Sequence, residues 1–212
     1  MTTAASARKE LRRLLEERTM GKAVGWFNDA VHASDIISLN QSAGQLRKAL
    51  GRRHLVAGFS EREHAHVQTP WGPMRYGGFR VDEGGRAWLM ASVASKQNQP
   101  FAFLFNVYDQ GDTETRVATL RALNFVEGEN VEAALTLIRD AGRTYLDELL
   151  SAAWCNNPFS SKHLSDLEYR KAVLKAVFCE VPIEGFIGLE ERADEEMATS
   201  LNDFANEREA AG

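Results

Sequence analysis

The chain has 212 residues, of which 44% are hydrophobic and 26% are charged, so it holds enough apolar material for one folded core and is not intrinsically disordered. Its net charge of −5 is uneven, because residues 1–54 carry ten lysines and arginines against five acids, whereas residues 181–212 carry nine acids against two arginines. The basic segment is interleaved with acids and lacks an aromatic stacking platform, which argues against nucleic-acid binding.

Three amphipathic helices are predicted in residues 1–51, because apolar residues recur there at helical spacing. They run from about Ala5 to Arg18, from Gly21 to His32 and from Ser38 to Leu50. Residues 52–80 follow as the least regular part of the chain, with two of its five prolines. Short extended segments around Met74 to Val81 predict an irregular or β-hairpin insert.

Residues 81–212 alternate amphipathic helices with short breaks. The predicted helices begin near Val81, Phe101, Thr113, Val131, Tyr145, Asp166 and Glu191, and the last one ends near Glu209. Asp82, Asn130 and Thr144 are predicted caps, since short polar side chains accept hydrogen bonds from free N–H groups at a helix start. Short loops between helices predict a mainly all-α single domain of antiparallel hairpins, stacked in the right-handed manner of HEAT repeats. No internal sequence period accompanies this pattern.

The two cysteines, Cys155 and Cys179, form no CxxC pair and lie in apolar helical stretches, which favours a reducing compartment. The start of the chain lacks the apolar region of a signal peptide, and no apolar stretch approaches the roughly 20 residues that span a bilayer. We therefore expect a cytoplasmic protein.

Five stretches in the last third of the chain carry a family resemblance: Asn156 to Pro158, Tyr169 to Phe178, Val181 to Ile183, Gly188 to Asp194 and Asn202 to Gly212. They are similar to the C-terminal signature of the EboA family. The resemblance implies an all-helical fold and an accessory or scaffold role in making or exporting secondary metabolites. Members of the family are encoded beside a prenyltransferase-like membrane protein and TIM-barrel or metal-dependent hydrolase-like proteins. This chain departs from the family pattern at Asn206, where a histidine is usual, and at Tyr169, where tryptophan is common.

Four polar residues of the same region are candidate ligand or partner contacts. Asn157 follows a predicted helix and precedes a proline, which suits a residue that ends a helix or an amide that binds a ligand. Lys175 lies between apolar neighbours, and it extends past them to water, pairs with Glu180 or an acid of the last helix, or serves as a buried base. Glu207 and Arg208 either pair on the surface or fold back to lock the turn of residues 181–190.

Aromatic residues in the middle of the chain supply the other candidates. Phe101 and Phe105 belong to an alternating aromatic run that either fills the core or lines an apolar binding patch. His54, His64 and His66 suggest a weak metal site, but no acid or cysteine completes the set at a convincing spacing. We therefore predict no metal and no cofactor.

The function predicted from these features is a non-catalytic accessory or scaffold protein of a secondary-metabolite or peptide-derived product pathway. Its partner would be an enzyme of the same pathway, such as a TIM-barrel metalloenzyme, together with its peptide or small-molecule substrate. In that role the hairpin of residues 52–80 would receive an extended peptide by strand addition. The alternatives are a small enzyme that uses a metal, Glu207 or Lys175, and a structural module that self-associates through its aromatic face.

Overall fold

The computed structural model describes residues 2–56, Gly58 and residues 65–211, and these residues are mainly helical. The described elements, in chain order, are α1 (Ala4–Arg18), α2 (Val24–Ala30), α3 (Ile36–Leu50), β1 (His66–Thr69), β2 (Gly72–Arg75), α4 (Val81–Ala94), α5 (Pro100–Asp109), α6 (Thr113–Ala122), α7 (Val131–Ala141), α8 (Asp147–Trp154), α9 (Pro158–His163), α10 (Asp166–Phe178), α11 (Leu189–Arg192) and α12 (Glu195–Ala211). Single 3-10 turns lie at Leu123–Phe125 and Ile183–Gly185. The mainly all-α fold with a small hairpin is confirmed.

Two predicted helix caps are wrong. Helix α4 begins at Val81, where the Glu83 carboxylate accepts the Arg80 backbone N–H at 3.0 Å, so Asp82 lies inside the helix and is buried. Helix α8 begins two residues later than predicted, at Asp147. The Thr144 hydroxyl instead donates to the Ala141 carbonyl at 2.8 Å, which stabilises the end of α7.

The predicted last helix is interrupted. Residues 189–192 form the short helix α11, and α12 begins at Glu195 after an extended residue, Ala193. Asp194 accepts the Met197 backbone N–H at 2.7 Å and pairs with Arg170 at 2.7 Å. These two contacts start a new helix at the point where α10 lies alongside.

The hairpin lies earlier than the predicted extended segments at 74–81. Strands β1 and β2 are antiparallel, with His66 opposite Arg75 and Thr69 opposite Gly72. The Thr69 hydroxyl accepts the Trp71 backbone N–H at 3.2 Å and donates to the Gly72 carbonyl at 2.7 Å, which closes the turn. Gly72 has a φ of 137°, a conformation that other residues rarely adopt.

Helix α4 is the centre of the molecule, since α1, α3, α5 and α6 all pack against it. Gly84 and Gly85 allow this, because a Cβ at Gly84 would lie 3.2 Å from Leu15 Cδ2 and one at Gly85 would overlap Leu50 Cδ1. From α4 onward, helices two positions apart in the chain pack together: α4 with α6, α6 with α8, and α5 with α7. This pattern is that of a two-layer helical stack. The HEAT-like description and its right-handed sense stay predictions.

Among the described helices, none has the combination of length and apolarity that a bilayer crossing requires.

Candidate functional site

Lys175 and Glu207 lie together in a surface groove of about 450 Å³ between α10 and α12, which we call the α10–α12 groove. Its lining consists of Leu174, Lys175, Phe178, Ser200, Asp203, Phe204 and Glu207. The sequence predicted Lys175 and Glu207 separately, and the structure brings them to one surface. The groove forms because α12 packs alongside α10 through an apolar stripe that includes Met197 and Leu201.

Large apolar side chains stay exposed at this groove. Phe178 is 56% exposed, and its ring centroid lies 6.0 Å from that of Phe204. The Lys175 ammonium lies 3.8 Å from the ring centroid of Tyr145, which is itself 70% exposed. This cation–π contact holds the lysine at the surface, so Lys175 is not a buried base.

Arg208 lies at the edge of the groove and does not lock the turn of residues 181–190. It forms an exposed ion pair with Glu180 at 3.6 Å, a kind of contact that contributes little to stability. The turn is anchored from the other side, where the Tyr169 hydroxyl and the Ser161 hydroxyl donate to the Ile187 carbonyl at 3.1 and 2.7 Å. Burial, the main cause, raises the pKa of Tyr169 to about 12.

Arg192 completes the anchoring of this turn. Its guanidinium donates to the carbonyls of Ser161 and Leu164 at 2.8 and 2.9 Å and pairs with Asp166 at 2.6 Å. The same group lies 4.1 Å from the ring centroid of Tyr169. A planar group with several donors can make all these contacts at once, which explains an arginine here.

Asn157 is buried and uses both polar atoms inside the protein. Its Oδ1 accepts the Ser160 backbone N–H at 3.2 Å, which caps α9, and its Nδ2 donates to the Ala152 carbonyl at 2.9 Å. The preceding Asn156 adopts the left-handed conformation, with a φ of 53°. Asn157 therefore begins a helix, which the sequence analysis did not predict, and its surroundings give no support to a ligand role.

The two phenylalanines of α5 lie in different environments. Phe101 is buried with its ring centroid 5.8 Å from that of Phe159, whereas Phe105 is 38% exposed. The core-facing stripe of α5 consists of Phe101, Leu104, Val107 and Tyr108, so Phe105 lies at its edge. Only Phe105 is placed to contact a partner.

The histidines that the sequence analysis considered as a metal site, and set aside, do not come together among the residues that the structure describes. The backbone of His54 forms an isolated antiparallel β-bridge with that of Arg80. His66 lies on β1, and His64 falls outside the described residues. Within the described ranges, no group of three histidine, cysteine, aspartate or glutamate side chains is arranged to hold a metal ion.

A cavity of about 370 Å³ between α4, α6 and α8 was missed by the sequence analysis, and we call it the arginine cavity. Its lining includes Arg52, Arg80, Arg86 and Arg121 together with five carboxylates, those of Asp82, Glu83, Glu114, Asp147 and Glu148. The arginines come from separate segments, so no spacing along the sequence indicates that they line one cavity. The one available signal was Arg121, a charged residue that follows Val117 and Ala118 on the same face of α6.

Arg121 differs from its neighbours in the arginine cavity. Its guanidinium lies 3.9 Å from the ring centroid of Phe79, and its Nε is buried without a hydrogen-bond partner among the described residues. Burial lowers the pKa of Arg121, while the charge of Glu83 opposes that shift. A buried, unpaired N–H of this kind costs on the order of 1–3 kcal/mol.

Comparison with known families gave a match. A family model described as EboA, metabolite traffic protein EboA, matches residues 7–212, which is nearly the whole chain. Searches of curated proteins and of solved structures gave no significant match.

Proposed function

The chain belongs to the EboA family, and from this premise we propose that it is a non-catalytic accessory protein that binds a partner through the α10–α12 groove. The family description, metabolite traffic, supports a role in handling a metabolite rather than in transforming it. We place the protein in a pathway that makes or exports a secondary or peptide-derived metabolite, and in the cytoplasm.

The observation that carries this proposal is the exposure of the Phe178 and Tyr145 rings beside the groove. Neighbouring Leu146 is 51% exposed, so several large apolar side chains face water within one region. Contiguous apolar surface with a polar rim is typical of sites that bind another protein. Lys175 and Glu207 supply the polar rim in this proposal, and Arg208 extends it.

The partner that we propose is an enzyme of the same pathway, of the TIM-barrel metalloenzyme class that the resemblance implied. Its bound peptide or small molecule would be the cargo. Phe105 offers a second exposed contact on α5. The exposed face of the hairpin, with Gln68 and Pro73, borders a second groove of about 780 Å³ beside the turn of residues 183–191, which suits the extended peptide of that proposal.

Capture of the partner from the native host tests this proposal. Wild-type protein should retain one defined enzyme at fixed stoichiometry, and Phe178→Asp should lose it, because a charge at the centre of an interface cannot be desolvated without a partner. Ile37→Asp is the matched control, since Ile37 on α3 is 71% exposed but lies outside the groove.

Equal retention by wild type and Phe178→Asp would overturn the partner surface. Sizing chromatography of the purified chain separates the self-association alternative, which would give a dimer that Phe178→Asp disrupts without any added partner. No observation on Lys175 or Glu207 favours the enzymatic alternative, since both lie on an open surface.

A further inference from the structure

Among the four guanidinium groups of the arginine cavity, that of Arg121 forms no contact ion pair with a described residue. Arg80 pairs with Asp82 at 3.1 Å, and Arg86 pairs with Glu114 at 3.2 Å. The buried Nε of Arg121 has no hydrogen-bond partner among the described residues. Its contact with the Phe79 ring orients the guanidinium without using its donors.

The shape of the cavity suits a small molecule. Its volume of about 370 Å³ falls at the lower end of the range of about 300–1,000 Å³ that is typical of ligand sites. Val117 and Ala118 add apolar lining beside Arg121. A cavity of this kind offers one charged anchor and a short apolar wall.

The carboxylates of the lining restrict the charge of the ligand. Asp82, Glu83 and Glu114 are paired with arginines, whereas Asp147 and Glu148 are exposed in the first turn of α8. A ligand with several oxyanion groups would place one of them close to these two carboxylates and be repelled. A single oxyanion group avoids most of that repulsion.

We propose that the arginine cavity binds a small metabolite with one oxyanion group, a carboxylate or a phosphate ester, and a short apolar body. The oxyanion accepts hydrogen bonds from the Arg121 guanidinium, which is suited to two-point recognition of planar or tetrahedral oxyanions. The apolar body lies against Val117 and Ala118. This site shares no residue with the α10–α12 groove, so either proposal can fail alone.

Calorimetric titration of the full chain with three matched probes tests the inference. Benzoate and phenyl phosphate carry the two oxyanions, and benzamide is the neutral counterpart of benzoate. We expect at least one of the two anions to bind and benzamide not to bind, and the tighter anion identifies which oxyanion the cavity prefers. Arg121→Gln should weaken the anion at least about tenfold, a loss of the size expected for one charge-assisted contact.

Arg143→Gln is the control, since Arg143 is exposed outside the cavity and should leave the affinity unchanged. If Arg121→Gln does not fold, as judged by circular dichroism, Val117→Glu adds a carboxylate to the half-buried lining and should abolish binding of the anion. Phe178→Asp should bind the anion as the wild type does. Equal binding of benzamide and benzoate, unchanged affinity in Arg121→Gln or Val117→Glu, or no binding of any probe would overturn the inference.

Discussion

His163 occupies an aromatic cluster at the end of α9. Its ring centroid lies 4.9 Å from that of Trp71 and 4.6 Å from that of Phe159. Its Nε2 is buried and has no hydrogen-bond partner among the described residues. Burial lowers the pKa of His163, and the positive charge of Lys162 adds to the shift. The folded protein therefore resists protonation of this ring.

This shift predicts acid sensitivity with a definite sign. As the pH falls below the ordinary histidine value of about 6.5, the unfolded chain binds a proton before the folded chain does, so the free energy of unfolding decreases. The loss continues until the pH passes the lowered pKa of the folded state. His163→Leu should remove this part of the pH dependence, which urea unfolding between about pH 7.5 and pH 5 would measure.

His32→Gln is the control for this experiment, since His32 is exposed. It should keep the acid sensitivity of the wild type. A pH dependence that is the same in His163→Leu and in the wild type would contradict the assignment.

At the scale of elements, the close approach of α3 and α4 depends on Gly85. A methyl group at this position would overlap Leu50 Cδ1, which is buried with little room to move. Gly44 on α3 is the matched helical glycine, because it is exposed and nothing lies within 4 Å of a Cβ built there. Both replacements by alanine gain the same helix propensity, so their difference isolates the steric effect.

We expect Gly44→Ala to stabilise the protein by about 0.5–1 kcal/mol, because alanine restricts the unfolded chain more than glycine does. Gly85→Ala should be less stable than Gly44→Ala by about 1–3 kcal/mol, which is the usual cost of overpacking a core. Urea unfolding of both variants measures the difference. Equal stability of the two variants would contradict this prediction, because it would show that the Leu50 side chain moves aside without a loss in the free energy of unfolding.

The helices that sequence predicted correctly are those whose ends depend on local chemistry. Asn130 accepts the Ala133 backbone N–H at 3.2 Å and Ser165 accepts that of Glu168 at 3.3 Å, so the signal for each helix start lies within three residues. Helix α9 was missed because part of its support is distant. The side chain of Asn124, 35 positions before Phe159, accepts the Phe159 backbone N–H at 2.9 Å.

The candidate sites divide in the same way. Lys175 and Glu207 were found because each is a conspicuous polar residue in its own helix, although their proximity depends on how α12 lies along α10. The arginine cavity was not found, because Arg80, Arg86 and Arg121 meet only after α4 and α6 pack together. The spacing of residues along the sequence indicates the faces of one helix or strand at a time, whereas a cavity is lined by residues of several elements.

At the scale of the whole molecule, the N-terminal helix is tied to the middle of the chain. The Ala4 backbone N–H donates to Glu127 Oε2 at 2.8 Å, and Arg8 Nη1 donates to the Phe125 carbonyl at 2.7 Å. Most of the buried apolar residues form one cluster that extends from Ala7 to Met197. A continuous core of this kind supports the prediction that residues 1–212 fold as one domain, which the tryptophans can test.

If residues 1–212 fold as one domain, we expect them to unfold in one cooperative transition. Trp26 and Trp88 report on the N-terminal half, with ring centroids 6.1 Å apart, whereas Trp71 and Trp154 lie near the C-terminal aromatic residues Phe159 and Phe186. Trp154→Phe removes a C-terminal reporter, so the remaining fluorescence reports more on the N-terminal half. Trp26→Phe has the opposite effect. Within each variant, the urea midpoint from fluorescence should equal that from circular dichroism, because every probe senses the same transition. Different midpoints within one variant would show that the two halves unfold separately. That result would contradict the single domain, because halves that share one core lose it in a single transition.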